Sequence, residues 1–164
     1  MNHTITVATK SDVSSVIHLL KEVAGWLKEN EINQWSFLLA GGEDNEIKQD
    51  IVEGNTYIVS TETEIIATFT LLPTQSEWDL HIWGDDNELD SLYLHRLAVK
   101  PSYMKNGLGA NILHWIQENV KPRLTLLKLD CVADNHKLNS FYKNNGFTHI
   151  GTTLDGHSKY IKDI

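Results

Sequence analysis

The residues from Leu92 to Leu113 (LYLHRLAVKPSYMKNGLGANIL) carry the clearest chemistry in the chain. They read as a strand, a short turn holding Gly107 and Gly109, and a helix. Glycines let the backbone come close to a ligand, and a helix that starts there aims unpaired N–H groups and its positive dipole end at the turn. Such a turn suits phosphate or pyrophosphate, and Lys105 adds a cation beside it. Two phosphate motifs fail here. A P-loop needs Lys-Ser/Thr after its last glycine, and the dinucleotide fingerprint would need a third glycine where Ile112 stands. Asp130 does lie roughly 20 residues on, where a ribose-binding acid would sit, so a nucleotide-dependent oxidoreductase is the weaker alternative.

The same segment resembles the cofactor motif of the GNAT superfamily of acyl-CoA-dependent N-acyltransferases. Leu97-Ala98-Val99 matches the Leu-x-Val end of the motif strand. Met104-Lys105-Asn106-Gly107-Leu108-Gly109 matches [Arg/Gln]-x-x-Gly-x-[Gly/Ala], with Met104 departing from the usual Arg or Gln. Downstream, Asn135, Tyr142, Gly146 and Phe147 match Asn-x₆-Tyr-x₃-Gly-Phe.

The resemblance implies an α/β (α+β) fold over residues 1–164 as one domain. Its mixed, mostly antiparallel sheet would have six to seven strands, flanked by about four helices and splayed at the motif strand. It implies acetyl-CoA as cofactor, with the pantetheine along Leu97, Ala98 and Val99 and the pyrophosphate on Met104, Lys105, Asn106, Gly107, Leu108, Gly109 and Ala110. Asn135 and Asn139, four apart on one helix face, would also contact the cofactor. Acetyl transfer would go directly to a primary amine of a small molecule or peptide. Tyr142 is the implied general acid, a phenol of pKa near 10 returning a proton to a thiolate of about 8.5. A catalytically inactive acyl-CoA-binding module is the alternative, suggested by Met104, and a homodimer is common in the family.

A general base must take a proton from the amine. On the motif strand Tyr93, His95 and Leu97 fall on one face by alternation, and His95 titrates in the useful range. Glu77 or Asp79 in the acidic 77–90 segment are equal candidates. Trp35, Trp83 and Tyr93 are candidates to hold the acceptor by stacking or cation–π contact, whereas Trp26 reads as core. Cys131, in an apolar strand with no His–Asp partner nearby, reads as a structural thiol. The eight histidines form no i,i+4 pair, so no metal site is expected.

The elements that must position these groups follow from periodicity. Strands are expected at Thr4–Ala8, Thr56–Ser60, Ile65–Leu72, Leu92–Val99, Leu124–Val132, Phe147–Thr153 and Lys159–Ile161. Helices are expected from a cap at Ser11 and Asp12 through the apolar positions Val13 to Leu27, with Gly25 weakening the end, at Asp44–Glu53, at Gly107–Val120 stopping before Pro122, and at Asn135–Asn145. Residues 76–90 read as a loop in which Trp78, Leu80, Ile82 and Trp83 form a short strand.

Composition narrows the classes. The 164 residues are 41% hydrophobic and 22% charged, enough apolar material for a real core. No run approaches 18 apolar residues and no signal peptide is visible, so neither a membrane span nor secretion is expected. One cysteine points to a reducing, cytoplasmic setting. The net charge of −8 argues against nucleic acid as a partner. Residues 1–48 carry 4 Lys/Arg and 7 Asp/Glu, residues 49–95 carry none and 10, and residues 96–164 carry 10 and 5. The basic C-terminal part therefore holds the phosphate motif, and the acidic middle suits a cationic amine.

Overall fold

In the computed structural model, residues 2–86, 90–120 and 126–164 are described. Seven strands occur among them: β1 (Thr4–Val7), β2 (Thr56–Ser60), β3 (Ile65–Leu72), β4 (Ser91–Val99), β5 (Leu126–Val132), β6 (Thr148–Thr152) and β7 (His157–Asp163). Six α-helices accompany them: α1 (Val13–Glu29), α2 (Ser36–Leu39), α3 (Asp44–Val52), α4 (Glu77–Trp83), α5 (Leu108–Asn119) and α6 (His136–Asn144). The strand order is β1-β2-β3-β4-β5-β7-β6. Pairing is antiparallel for β1/β2, β2/β3, β5/β7 and β6/β7, and parallel for β4/β5. The expected mixed, mostly antiparallel sheet is therefore present with seven strands.

The chain forms two compact units, each built from two separated stretches. The first contains residues 1–70 and 96–109. Its core is the apolar stripe of α1 (Val16, Leu19, Leu20, Val23, Ala24, Leu27), joined by Leu38, Ile47, Ile51, Ile58 and Ala98. That stripe follows the helical spacing of the sequence. The helix continues past Gly25 to Glu29, because a single glycine weakens a helix without ending it when the flanking turns are packed. The second unit contains residues 71–95 and 110–164. Ile112, Leu113, Ile116, Leu127, Leu129, Phe147 and Tyr160 are buried in it.

Most boundaries agree with the sequence within two residues, and β2 and β3 match in full. Expected residues Leu124 and the stop at Pro122 lie outside the described residues, as do positions 87–89 of the acidic segment. Two helices beyond the expected four are present. One is α2, a single turn. The other, α4, replaces the expected strand at Trp78–Trp83. Its start is a capping box: the Asp79 N–H donates to Ser76 Oγ at 3.2 Å, and the Ser76 N–H donates to the Asp79 carboxylate at 3.0 Å. Gln75 braces the segment, donating through Nε2 to the Gly84 carbonyl (2.7 Å) and accepting from the Asp86 N–H (2.9 Å).

Thr56 and Thr70 face each other across β2/β3, both 2% exposed, with their hydroxyls 2.9 Å apart. Each is the other's side-chain partner. Thr70→Val should therefore lower the unfolding free energy by about 1–3 kcal/mol by stranding the Thr56 hydroxyl, and adding Thr56→Val should recover most of it. Urea unfolding of the single and double variants measures this; additive losses would show that the pair has no coupling.

Candidate active site

In the first unit, the strand that should line the cofactor breaks its own alternation. Arg96 lies within β4 at φ 49°, the left-handed region, which costs a non-glycine residue about 1–2 kcal/mol. Past Val99 the turn is tied down twice. The Lys100 N–H donates to the Ile66 carbonyl at 2.8 Å, and the Tyr103 hydroxyl donates to Glu64 Oε1 at 2.9 Å, with the Lys100 ammonium on the same carboxylate. That pairing holds Glu64 below the usual carboxylate range.

Beyond these anchors the backbone opens. Lys105 (φ 66°) and Gly107 (φ 76°) are both left-handed, and nothing lies within 4 Å of where a Gly107 Cβ would project. The N–H groups of Lys105, Asn106 and Gly107 donate to none of the described residues. They lead into the first turn of α5, whose N–H groups have no intrahelical partner. Successive unpaired N–H groups, open space and one ammonium fit a polyphosphate. The Met104 side chain packs against the first unit's apolar core. Trp35 packs against the same core, which sets it apart from an exposed stacking platform.

The second unit holds the acid–base groups. His95 Nε2 donates to the Asp79 carboxylate at 3.0 Å. Asp79 is 1% exposed and also accepts from the Ser76 hydroxyl at 2.9 Å. Sequence spacing gave His95 and Asp79 as rival bases; the structure joins them as a pair. A carboxylate that accepts from Nε2–H leaves Nδ1 as the basic nitrogen. Glu77, the third candidate, is exposed in the first turn of α4. Trp78 Nε1 donates to both oxygens of Asp130 at 3.1 Å. Burial pushes the Asp130 carboxyl upward, opposed by this hydrogen bond and by the nearby His95 and His157.

Tyr142 is 6% exposed and sits among Phe141, Phe147 and Tyr160. Burial raises its phenol well above the ordinary value, and its hydroxyl makes no hydrogen bond to the described residues. Asn135 caps α6, its Oδ1 accepting from the Leu138 N–H at 3.2 Å.

Three expected contact residues are occupied otherwise. The Asn139 amide donates to the carbonyls of Asn135 (2.8 Å) and Val132 (3.1 Å), while its oxygen accepts from the Tyr160 hydroxyl (2.7 Å). Both ends of that amide tie α6 to the sheet, which leaves it no group for a cofactor. Tyr93 is 2% exposed and donates to Asp86 Oδ2 at 3.1 Å. Trp83 presents its ring to the ammoniums of Lys128 (5.2 Å) and Lys159 (5.6 Å), so its π face is already matched with cations. Cys131 is buried and its thiol is pushed up to about 12, so it stays protonated and unreactive, as a structural cysteine should. Among the described residues no group of three or more His, Cys, Asp or Glu could hold a metal ion, and no helix is long and apolar enough to cross a membrane.

A strand with a left-handed break, a glycine turn and a helix N-terminus recur here within this sheet order. The chain belongs to the GNAT acetyltransferase family, whose domain matches residues 53–149. It is an N-acyltransferase, which sets aside the oxidoreductase alternative. It is 39% identical over 158 residues to the uncharacterized N-acetyltransferase YesJ of Bacillus subtilis (strain 168), covering 96% of this chain and 88% of that protein. A GNAT-family acetyltransferase from Listeria monocytogenes 4b F2365 superposes with a TM-score of 0.84 at 27% identity, covering 99% of this chain and 95% of its own. PaiA N-acetyltransferase from Thermoplasma acidophilum, solved in complex with coenzyme A, shares the fold over the whole of both chains at a TM-score of 0.80 and 17% identity.

Two outcomes follow from these placements. Asn139→Ala should cost about 3 kcal/mol in chemical denaturation while changing KM for acetyl-CoA little; a raised KM at unchanged stability would return Asn139 to the cofactor surface. Asp155, which accepts from Thr153 Oγ1 and pairs with His81, has its carboxyl lowered to about 2. Its contribution is present above the unfolded value near 3.8 and is lost as pH falls towards about 2. Asp155→Asn should flatten that part of the stability–pH curve, and an unchanged curve would remove the assignment.

Proposed function

We propose that the protein transfers the acetyl group of acetyl-CoA directly to a primary amine, on a small molecule or a peptide, with residues 1–164 acting as one catalytic domain. The observation that carries the reading is the buried Asp79 bound to His95, which leaves Nδ1 as a base beside a chain segment rich in carboxylates. An amine is mostly ammonium at neutral pH, and His95 Nδ1 removes its proton directly or through water. Acetyl-CoA, when bound, supplies a thioester carbonyl open to that amine.

The Leu97 N–H polarises the carbonyl, and the main chain of Leu97, Ala98 and Val99 aligns the carrier arm as an added strand would. Lys105, Asn106, Gly107, Leu108, Gly109 and Ala110 hold the pyrophosphate through their N–H groups and one ammonium, and Asn135 flanks the cofactor. Tyr142 returns a proton to the leaving thiolate. Residues 49–95, with ten carboxylates and no Lys or Arg, attract a cationic acceptor. A reducing, cytoplasmic compartment suits the lone buried thiol.

The test is thiol release from acetyl-CoA against a panel of polyamines, simple amines, peptide amines and anionic acceptors. Turnover with a cationic amine, weakened by salt, is the expected result; turnover only with anionic acceptors would overturn the acceptor class, and tight binding without thiol release would leave a binding module. Tyr142→Phe should lower kcat by about 10²–10⁴ with coenzyme A affinity retained.

A further inference from the structure

Arg96 is a left-handed residue inside a strand, and such a conformation persists only where its surroundings over-determine it. Three carboxylates of the first unit do so. Arg96 Nη1 lies 2.7 Å from Asp50 Oδ2, Nε lies 3.4 Å from Glu43 Oε2, and Nη2 lies 3.6 Å from Glu46 Oε2. Glu43 begins α3, and Glu46 and Asp50 follow one and two turns on, so all three occupy one helix face. The Arg96 and Asp50 side chains are only 14% and 15% exposed, which shields their pairing from solvent. The guanidinium is a planar fork that can serve several carboxylates at once, which a lysine ammonium on a flexible stem cannot do in this geometry.

The peptide plane that carries the Leu97 N–H is the one joining Arg96 to Leu97, so the backbone angles of Arg96 set its tilt. We propose that Arg96, held by Glu43, Glu46 and Asp50, is a positioning residue for acyl-CoA: the clamp fixes the left-handed backbone that aims the Leu97 N–H. The inference rests on the acetyl-CoA reading above. It assigns to α3, far from the motif in sequence, the control of how the motif strand presents its donors.

Two readouts separate the clamp from that reading. In the ligand-free protein, backbone amide shifts of Leu97, Ala98 and Val99 should move in Asp50→Asn and Arg96→Lys. By calorimetry, the same variants should bind coenzyme A more weakly, by about five- to thirty-fold, the ratio that corresponds to the left-handed penalty. In turnover, KM for acetyl-CoA should rise with kcat less affected. Arg96→Gly, which takes a positive φ freely, should retain more affinity than Arg96→Ala. Unmoved amide shifts together with affinity within about twofold of the parent would overturn the proposal, and so would a lowered Tm with KM unchanged. A parent protein that binds no coenzyme A would instead refute the acetyl-CoA reading, while the amide shifts would still decide whether the clamp sets the strand.

Discussion

The structure turns on one strained residue, Arg96, which holds a left-handed backbone inside β4. An ordinary pleat alternates side chains and closes its N–H and C=O groups into ladders. One left-handed residue departs from that pleat. The interruption is costly for an arginine, and the fold answers with carboxylates from α3 on one side and the Glu64–Lys100–Tyr103 cluster a few residues further on. The glycine turn and the start of α5 follow from there. Local strain is thus confined to a short stretch whose neighbours hold it from several directions.

A second constraint is desolvation. Asp79 and Asp130 are both withdrawn from water in the second unit, and each is given specific donors: Ser76 and His95 for the first, the Trp78 indole for the second. A buried carboxylate without such donors would be strongly destabilising. Because α4 supplies Trp78 and Asp79 from adjacent positions, one short helix organises both sites. Lys128 and Asp86 pair in the same unit, with the Tyr93 hydroxyl on Asp86.

Legibility in the sequence followed the range of the interactions. Strands bounded by polar turns, such as β2 and β3, emerged with their ends in place because runs of β-branched and apolar residues and the turn between them are local signals. The segment Trp78–Trp83 did not. Trp78, Leu80 and Ile82 alternate like a strand, yet Asp79, Ile82 and Trp83 also repeat at helical spacing, and only the Ser76–Asp79 capping box decides between the two. Asparagine roles were equally ambiguous: Asn135 and Asn139 are one turn apart, but Asn139 is absorbed by carbonyls and by Tyr160, a residue 21 positions away. Pairings such as Trp78 with Asp130 and Arg96 with Asp50 link residues 52 and 46 positions apart and leave no trace in periodicity. Met104, conspicuous as a departure from the motif, becomes intelligible only as part of a core.

Gln75 gives the segment around α4 a frame of its own. Because its amide closes on both Gly84 and Asp86, residues 75–86 behave as a cassette whose frame is set by backbone and by one side chain. The outward positions of that cassette, Glu77, Trp78, Leu80 and His81, are exposed. Of these, Trp78 and His81 are committed within the second unit, to Asp130 and Asp155, while Glu77 and Leu80 are not part of those pairings. The frame of α4 is thus written in Gln75, Ser76 and Asp79, and its outward face in other positions.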